Sequence, residues 1–190
     1  MENKFLEAAS IYAAFDADTA ACRREAACSK GCAFCCTDAG SIDITTLEGM
    51  MIRNAVRKMP RARQTRVKKA LARDMKRREA GKTGPCAFLM KNRACMIYAD
   101  RPFACRRVYS LHVCTRDAPP RVHRQVMARG AEAIAALQRL DGNGYSGHLS
   151  YVLHMLEAPK FFQTYAAGDS RPEEVMAFGR SHGIVINKMM

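Results

Sequence analysis

Apolar residues recur at three- and four-residue steps along most of the chain and almost nowhere alternate strictly, a pattern that predicts helices rather than strands. Phe5, Ala8, Ala9, Tyr12, Phe15 and Thr19 fall on one face of a first helix predicted from about Lys4 to Ala27. Ile42-Asp43-Ile44 reads as a short extended piece, and Thr45 or Thr46 then caps a helix through about Met59. Pro60 suits the first turn of another helix ending near Gly81, in which Val67, Ala70, Leu71 and Met75 repeat at helical spacing. From Cys86 to Cys114 the periodicity vanishes and cysteines punctuate the chain. Pro119-Pro120 precede a helix marked by Val122, Val126, Ala133, Ile134, Leu137 and Leu140, and "DGNG" breaks it. Two further helices are expected around 147–157 and 172–180, the second opened by Ser170 with Pro172 in its first turn.

A chain of 190 residues, 48% hydrophobic, favours one domain able to bury its own core. The expected fold class is mainly α: a small helical domain, residues 1–190, around a cysteine-rich, loop-dominated metal site. Its metal-binding core would lie at about 28–114, with C-terminal helices over 120–182. Glu7, Asp16 and Asp18 interrupt the apolar residues of the N-terminal stretch, and no run reaches membrane-spanning length. The expected location is therefore cytoplasmic.

Charge adds a second feature to the helical pattern. The formal net charge is +13, and the stretch from Arg53 to Arg78 holds twelve Lys and Arg against one acid, Asp74. An amphipathic basic helix over 53–78 would offer Arg66, Lys69, Arg73 and Arg77 to nucleic acid or an acidic partner protein. A plain solvated helix face explains the same pattern equally well. No aromatic residue interleaves the basic ones as a single-strand stacking platform would want.

The chemistry concentrates in sulfur. "CSKGCAFCC", residues 28–36, places four of the nine cysteines in nine positions. In a reducing compartment such clustering indicates metal ligands or redox groups rather than disulfides, and the odd total fits complete pairing poorly. Cys28, Cys32, Cys35 and Cys36 form a first group, separated by the basic helix from Cys86, Cys95, Cys105 and Cys114. Cys22, inside the first helix, reads as a small buried hydrophobe, and Cys114 is a possible extra ligand. Neighbouring side chains diverge in helix and strand alike, so the Cys35-Cys36 doublet fits one compact tetrahedral ion poorly. It suits a polynuclear centre, two nearby metals, or a ligand beside a reactive thiol. Iron and zinc both accept thiolate, so donor type alone does not choose between them. The spacing lacks paired CxxC knuckles for a zinc finger, and the lone Cys32–Cys35 motif lacks the βαβ setting of a thioredoxin-like site. His112, His123, His148, His154 and His182 are scattered, although His112 is close enough in sequence to Cys114 to enter a mixed site.

Two resemblances follow from these residues. Cys28-x3-Cys32-x2-Cys35, with Phe34 before the last cysteine, resembles the cluster loop of radical S-adenosylmethionine enzymes, which implies a (β/α) barrel-type fold. The second resemblance spans about residues 28–107. Cys32-x2-Cys35-Cys36, the "IDIT" entry to a helix, "PCAFL" and "CMIYADRPFACR" together resemble the CxxCxxCC, or YkgJ-like, cysteine-cluster family of zinc- or iron-chelating proteins. The family's first cysteine would fall at Ser29, one residue after Cys28. The resemblance implies a bacterial, cytoplasmic protein that binds iron, an iron–sulfur cluster or zinc through Cys32, Cys35, Cys36, Cys86, Cys95 and Cys105, with Cys28 added here. Pro102 is placed to start the turn presenting Cys105. Arg101, Arg106 and Arg107 offer positive charge to thiolates, and Tyr98 offers a hydroxyl or, more simply, an apolar ring for the core. The residues carry no hydrolase pattern, so the sequence leaves open whether the protein is an enzyme.

Overall fold

A computed structural model describes residues 1–29, 31–37, 40–169, 171–181 and 188–189. Among them are ten helices and three short strands, 59% helix and 5% strand, so the mainly α expectation holds.

The first predicted helix is broken in two, α1 (Glu2–Asp18) and α2 (Ala20–Arg24). At Thr19 the backbone leaves helical geometry, and its Oγ1 donates to the Phe15 carbonyl at 2.7 Å, the local competition that lets threonine interrupt a helix. Ala8, Tyr12, Phe15 and Thr19 are buried as the spacing predicts, but Ala9 is exposed. This face meets α7 (Arg124–Leu140), whose Val126, Ala133 and Leu137 are also buried. The His123 ring accepts from Gln125 N and caps α7. Phe103, Tyr109 and Leu47 complete this apolar cluster.

A second cluster forms around β1 (Asp43–Thr45) and α4 (Thr46–Arg57). Thr45 Oγ1 accepts from Glu48 N and the Glu48 carboxylate accepts from Thr45 N, a reciprocal capping box. The basic stretch is not one helix from Arg53: it divides at Pro60 between the end of α4 and α5 (Arg61–Glu79). Pro60 caps α5 and cannot supply the amide that a continuous helix would need there.

Asp74, the single acid of that stretch, is buried rather than solvated. It accepts from Arg77 and Arg78, both at 3.0 Å, and from Ser150 Oγ at 2.5 Å, with His148 Nδ1 at 3.9 Å. The sequence pattern misses the strand β2 (Tyr145–His148), because "YSGH" is short and contains no apolar alternation. It pairs antiparallel with β1, Ser146 opposite Thr45, and with β3 (Lys188–Met189), giving the order β1-β2-β3. Thr46 Oγ1 bonds both the amide and the carbonyl of Tyr145. The helix expected from 147 therefore starts after the strand, as α8 (Leu149–Glu157), capped by His148.

α4 lies close on α8 because Gly49 has no side chain: a Cβ there would meet Val152 Cγ1 at 2.7 Å and Leu156 Cδ1 at 2.8 Å. A helix without a predicted counterpart, α9 (Pro159–Ala167), ends at Gly168 with φ 84°, and α10 (Pro172–Ser181) follows. The readings made at Ser170 and His182 lie outside the described residues. The described strands are all antiparallel, without the β/α alternation that the radical-enzyme resemblance implies. No helix among the described residues is long and apolar enough to cross a membrane.

Candidate metal centre

Three segments bring the sulfur together. The first is α3 (Phe34–Thr37), one helical turn that carries Cys35 and Cys36 above the fully buried Ala33. The second is a tight loop-back from Cys86 to Ile97. Leu89 bridges Cys95 antiparallel, Met96 N donates to Phe88 O at 2.9 Å, and Arg93 at φ 62° makes the reversal. Phe88 and Ile97 plug this loop into the second apolar cluster, and Cys86 and Cys95 pack against the same cluster. Cys86 N donates to Cys36 O at 2.7 Å, which ties the second segment to the first.

The third segment is α6 (Phe103–Arg106), capped by Pro102 as the turn chemistry predicts, and it presents Cys105. Its position depends on Glu48, whose Oε1 accepts from Phe103 N at 2.7 Å and from Tyr12 OH at 2.8 Å. One buried carboxylate thus joins α1, the start of α4 and the cysteine-bearing α6. The capping-box spacing of Thr45 and Glu48 is visible in the sequence, but this second role is not.

The electrostatics fit a group of thiols close enough to feel one another. The Cys36 thiol beside Cys35 stabilises the Cys35 thiolate, and with help from Arg101 its pKa falls to about 6 against the cost of burial. Cys36 is pushed in the opposite direction, first by Cys35, then by burial and by Cys86 and Cys105. Burial raises Cys86 to about 11, with Cys95 and Asp74 adding to the rise. Burial likewise raises Cys105 well above the ordinary thiol range, reinforced by Cys86, Cys35 and Cys95 and opposed by Arg101. Cys95 is raised by burial and eased by Arg101. Arg101 is the shared cation of this group.

Cys28, Cys32 and Cys114 stand apart from these five, around an open cavity of about 410 Å³ that His112 and Arg93 also line. Cys35 is the link, since it acts electrostatically on Cys28 as well as on Cys86, Cys95 and Cys105. Cys22 is buried in α2, as a small hydrophobe should be.

Other predicted residues fall elsewhere. Tyr98 is not a core ring: it is 66% exposed and stacks beneath the Arg101 guanidinium at 4.2 Å. Arg106 braces the loop instead, donating to Ala99 O at 2.6 Å and Arg101 O at 3.1 Å and pairing with Asp16. Arg77 is committed to Asp74 and to Pro85 O, whereas Arg66, Lys69 and Arg73 are exposed on α5. His148 and His123 serve as helix caps.

Among the described residues no three Cys, His, Asp or Glu side chains already converge into a closed ion site. What the fold provides is a neighbourhood of soft sulfur donors with one cation beside it, a donor set suited to zinc or iron rather than to calcium or magnesium.

The chain is a mainly helical domain that carries these cysteines on three separate segments. A family model, CxxCxxCC, described as "Putative zinc- or iron-chelating domain", matches residues 27–127, more than half of the chain, and the chain belongs to that family. No curated protein and no solved structure matches it. The family description supports metal binding by zinc or iron without choosing between them.

Proposed function

We propose that the protein holds iron as an iron–sulfur cluster, bound by thiolates drawn from Cys35, Cys36, Cys86, Cys95 and Cys105. The observation that carries this reading is the supply of five thiols on three segments that act electrostatically on one another, with Arg101 acting on Cys35, Cys95 and Cys105. One zinc ion takes four ligands, so this set exceeds a single zinc site by one. The vicinal pair adds to the argument: successive positions of a helical turn project about 100° apart and suit different metal atoms better than one. Arg101 offsets part of the negative charge that the thiolates bring, and the packing of Cys86, Cys95 and Cys105 against the apolar core keeps water from much of the sulfur. A cluster there would supply one-electron chemistry or a structural clasp; the chain's own residues hold and shield it. The chelating region 27–127 and the C-terminal helices form one domain on this reading, in the cytoplasm of a bacterial cell. Anaerobically purified protein is expected to be coloured and to bleach on reduction with dithionite. A colourless protein carrying stoichiometric zinc would overturn the iron assignment and leave a zinc chelator.

A second reading, compatible with the first, concerns α5. Arg66, Lys69 and Arg73 follow i, i+3, i+7 spacing and are all exposed, while Val67, Asp74 and Met75 face inward. This stripe would dock a polyanion, either nucleic acid or an acidic protein. Reversing the three charges to Glu should abolish salt-sensitive binding to single- or double-stranded nucleic acid; wild-type protein that shows no binding at low salt removes the nucleic-acid version.

A further inference from the structure

We propose that Cys28 and Cys114 form a reversible redox clasp, open in reducing surroundings and closed as an intramolecular disulfide by a small anionic disulfide of the glutathione class. The inference does not depend on which metal the inner thiols hold.

Both cysteines are free, and both line the open cavity of about 410 Å³. They also stand outside the spacing of the family resemblance, Cys28 before its first position and Cys114 beyond its last, Cys105. One buried serine anchors both of their segments. Ala27 N donates to Ser110 O at 2.8 Å, and Ser110 N donates to Cys28 Sγ at 3.3 Å. Ser110 Oγ accepts from His112 N at 3.3 Å and from Arg121 N at 3.2 Å, and Cys114 Sγ lies 3.8 Å from the His112 carbonyl. Burial raises the Cys28 thiol, the Ser110 amide opposes the rise, and charge on Cys32 and Cys114 adds to it. Cys28 and Cys114 are therefore within electrostatic reach, and an uncharged disulfide removes their repulsion. Cys28 is exposed, so its side chain is free to change rotamer towards Cys114. A disulfide asks two sulfurs to meet, not three donors around one point.

The cavity also has the charge that such an oxidant needs. Arg93 lines it, held by its Nε to Gly31 O at 3.2 Å, and among the described residues no carboxylate does. An anionic disulfide is attracted there. Cys28, its proton lost to water, attacks one sulfur of the small disulfide; that S–S bond breaks and one small thiol leaves. Cys114 then attacks the Cys28 sulfur of the mixed disulfide and expels the second small thiol. The two protein sulfurs lose two electrons, and the small disulfide gains them with two protons as two thiols. Excess small thiol runs the same steps backwards. The Ser110 amide stabilises negative charge on Cys28 sulfur as it attacks and as it leaves.

The test uses the full chain, isolated anaerobically with its metal, and glutathione at a series of oxidised-to-reduced ratios. Free thiols are then blocked and the peptides mapped without reduction. Wild-type protein should yield a linked peptide joining Cys28 to Cys114, its fraction rising with the ratio and vanishing with excess dithiothreitol. The oxidised protein should unfold at higher denaturant concentration than the reduced, because the bond closes a long loop of chain. In Cys114→Ser, Cys28 should persist as the mixed disulfide that the wild type resolves. Arg93→Gln should slow oxidation by glutathione several-fold and leave oxidation by uncharged 2-hydroxyethyl disulfide unchanged. No such linked peptide at the most oxidising ratio, or Cys28 paired with Cys32 instead, would overturn the proposal. Equal slowing of both oxidants would overturn the anionic class. The wild-type map decides the matter where a variant does not fold. Metal counted on the same samples should stay constant; metal released as the linked peptide forms would place Cys28 or Cys114 among its ligands and overturn the clasp.

Discussion

Cys86, Cys95 and Cys105 pack on the main apolar cluster, whereas Cys28, Cys32 and Cys114 border an open cavity near the surface. The first group is over-determined. A main-chain bond from Cys86 to Cys36, a tight loop-back plugged by Phe88 and Ile97, and the Glu48 carboxylate under α6 fix it from three directions. The second is held where Ser110 meets residues 27 and 28 and where Arg93 Nε donates to Gly31 O, and Cys28 and Cys32 are exposed. Burial raises the thiols of the first group, so only positive charge among them makes several thiolates stable at once. Arg101 supplies one charge, and a metal would supply the rest. The difference teaches that a half-dry sulfur group packed on the core and a solvent-facing one can both feel a single shared cysteine, Cys35.

The largest expected effect separates the groups outright. Cys86→Ser or Cys105→Ser should remove all iron and sulfide, while Cys114→Ser should leave both at wild-type levels; equal losses from the two sides would merge the groups into one centre. Next comes Glu48. Replacing it with Ala strands the buried donors Tyr12 OH, Phe103 N and Thr45 N, and should cost about 3–5 kcal/mol in denaturant unfolding. A change under about 1 kcal/mol would mean that α6 is positioned by its apolar contacts alone.

pH probes the core that supports the inner group. Burial, with Arg78 adding, lowers His148 to about 4, below its unfolded value. Burial alone would raise Asp74, but the donors Ser150, Arg78 and Arg77 more than offset it and hold Asp74 low. Both folded pKa values are depressed, so the folded state binds fewer protons than the unfolded one. Stability is then full above the unfolded values and is lost as pH falls through the folded ones, for His148 from about 6.5 towards about 4. His148→Asn keeps an N-cap and should flatten that part of the stability curve by up to about 3 kcal/mol. An unaltered curve would place the titration elsewhere.

The smallest effect is chemical selectivity in metal-free protein. Cys35, with its pKa near 6, should alkylate fastest at neutral pH, its rate falling as acid protonates it below about 6, whereas Cys86 should wait for pH near 11. Equal rates for the two would deny the electrostatic contrast between them.

The helices were legible because their apolar faces repeat at helical spacing, as at Val126, Ala133 and Leu137. Short elements were not: β2 has four residues and gains its strand geometry only from pairing with β1 and from Thr46. The break at Thr19 depends on one side-chain bond, which leaves no mark on hydrophobic period. Among site residues, the cysteines stood out by clustering and Pro102 by its turn chemistry. The functions of Arg101 and Arg106 could not be separated in sequence, because both carry the same charge and only the fold turns one towards the thiols and the other towards Asp16. Arg77 looked like part of a basic face until Asp74 proved to be buried beneath it.

Iron and acid-labile sulfide counted per chain in freshly isolated, oxygen-protected protein test the central claim most directly. The account predicts both, in cluster proportions, with a visible spectrum that disappears on reduction. Stoichiometric zinc with neither iron nor sulfide would contradict it.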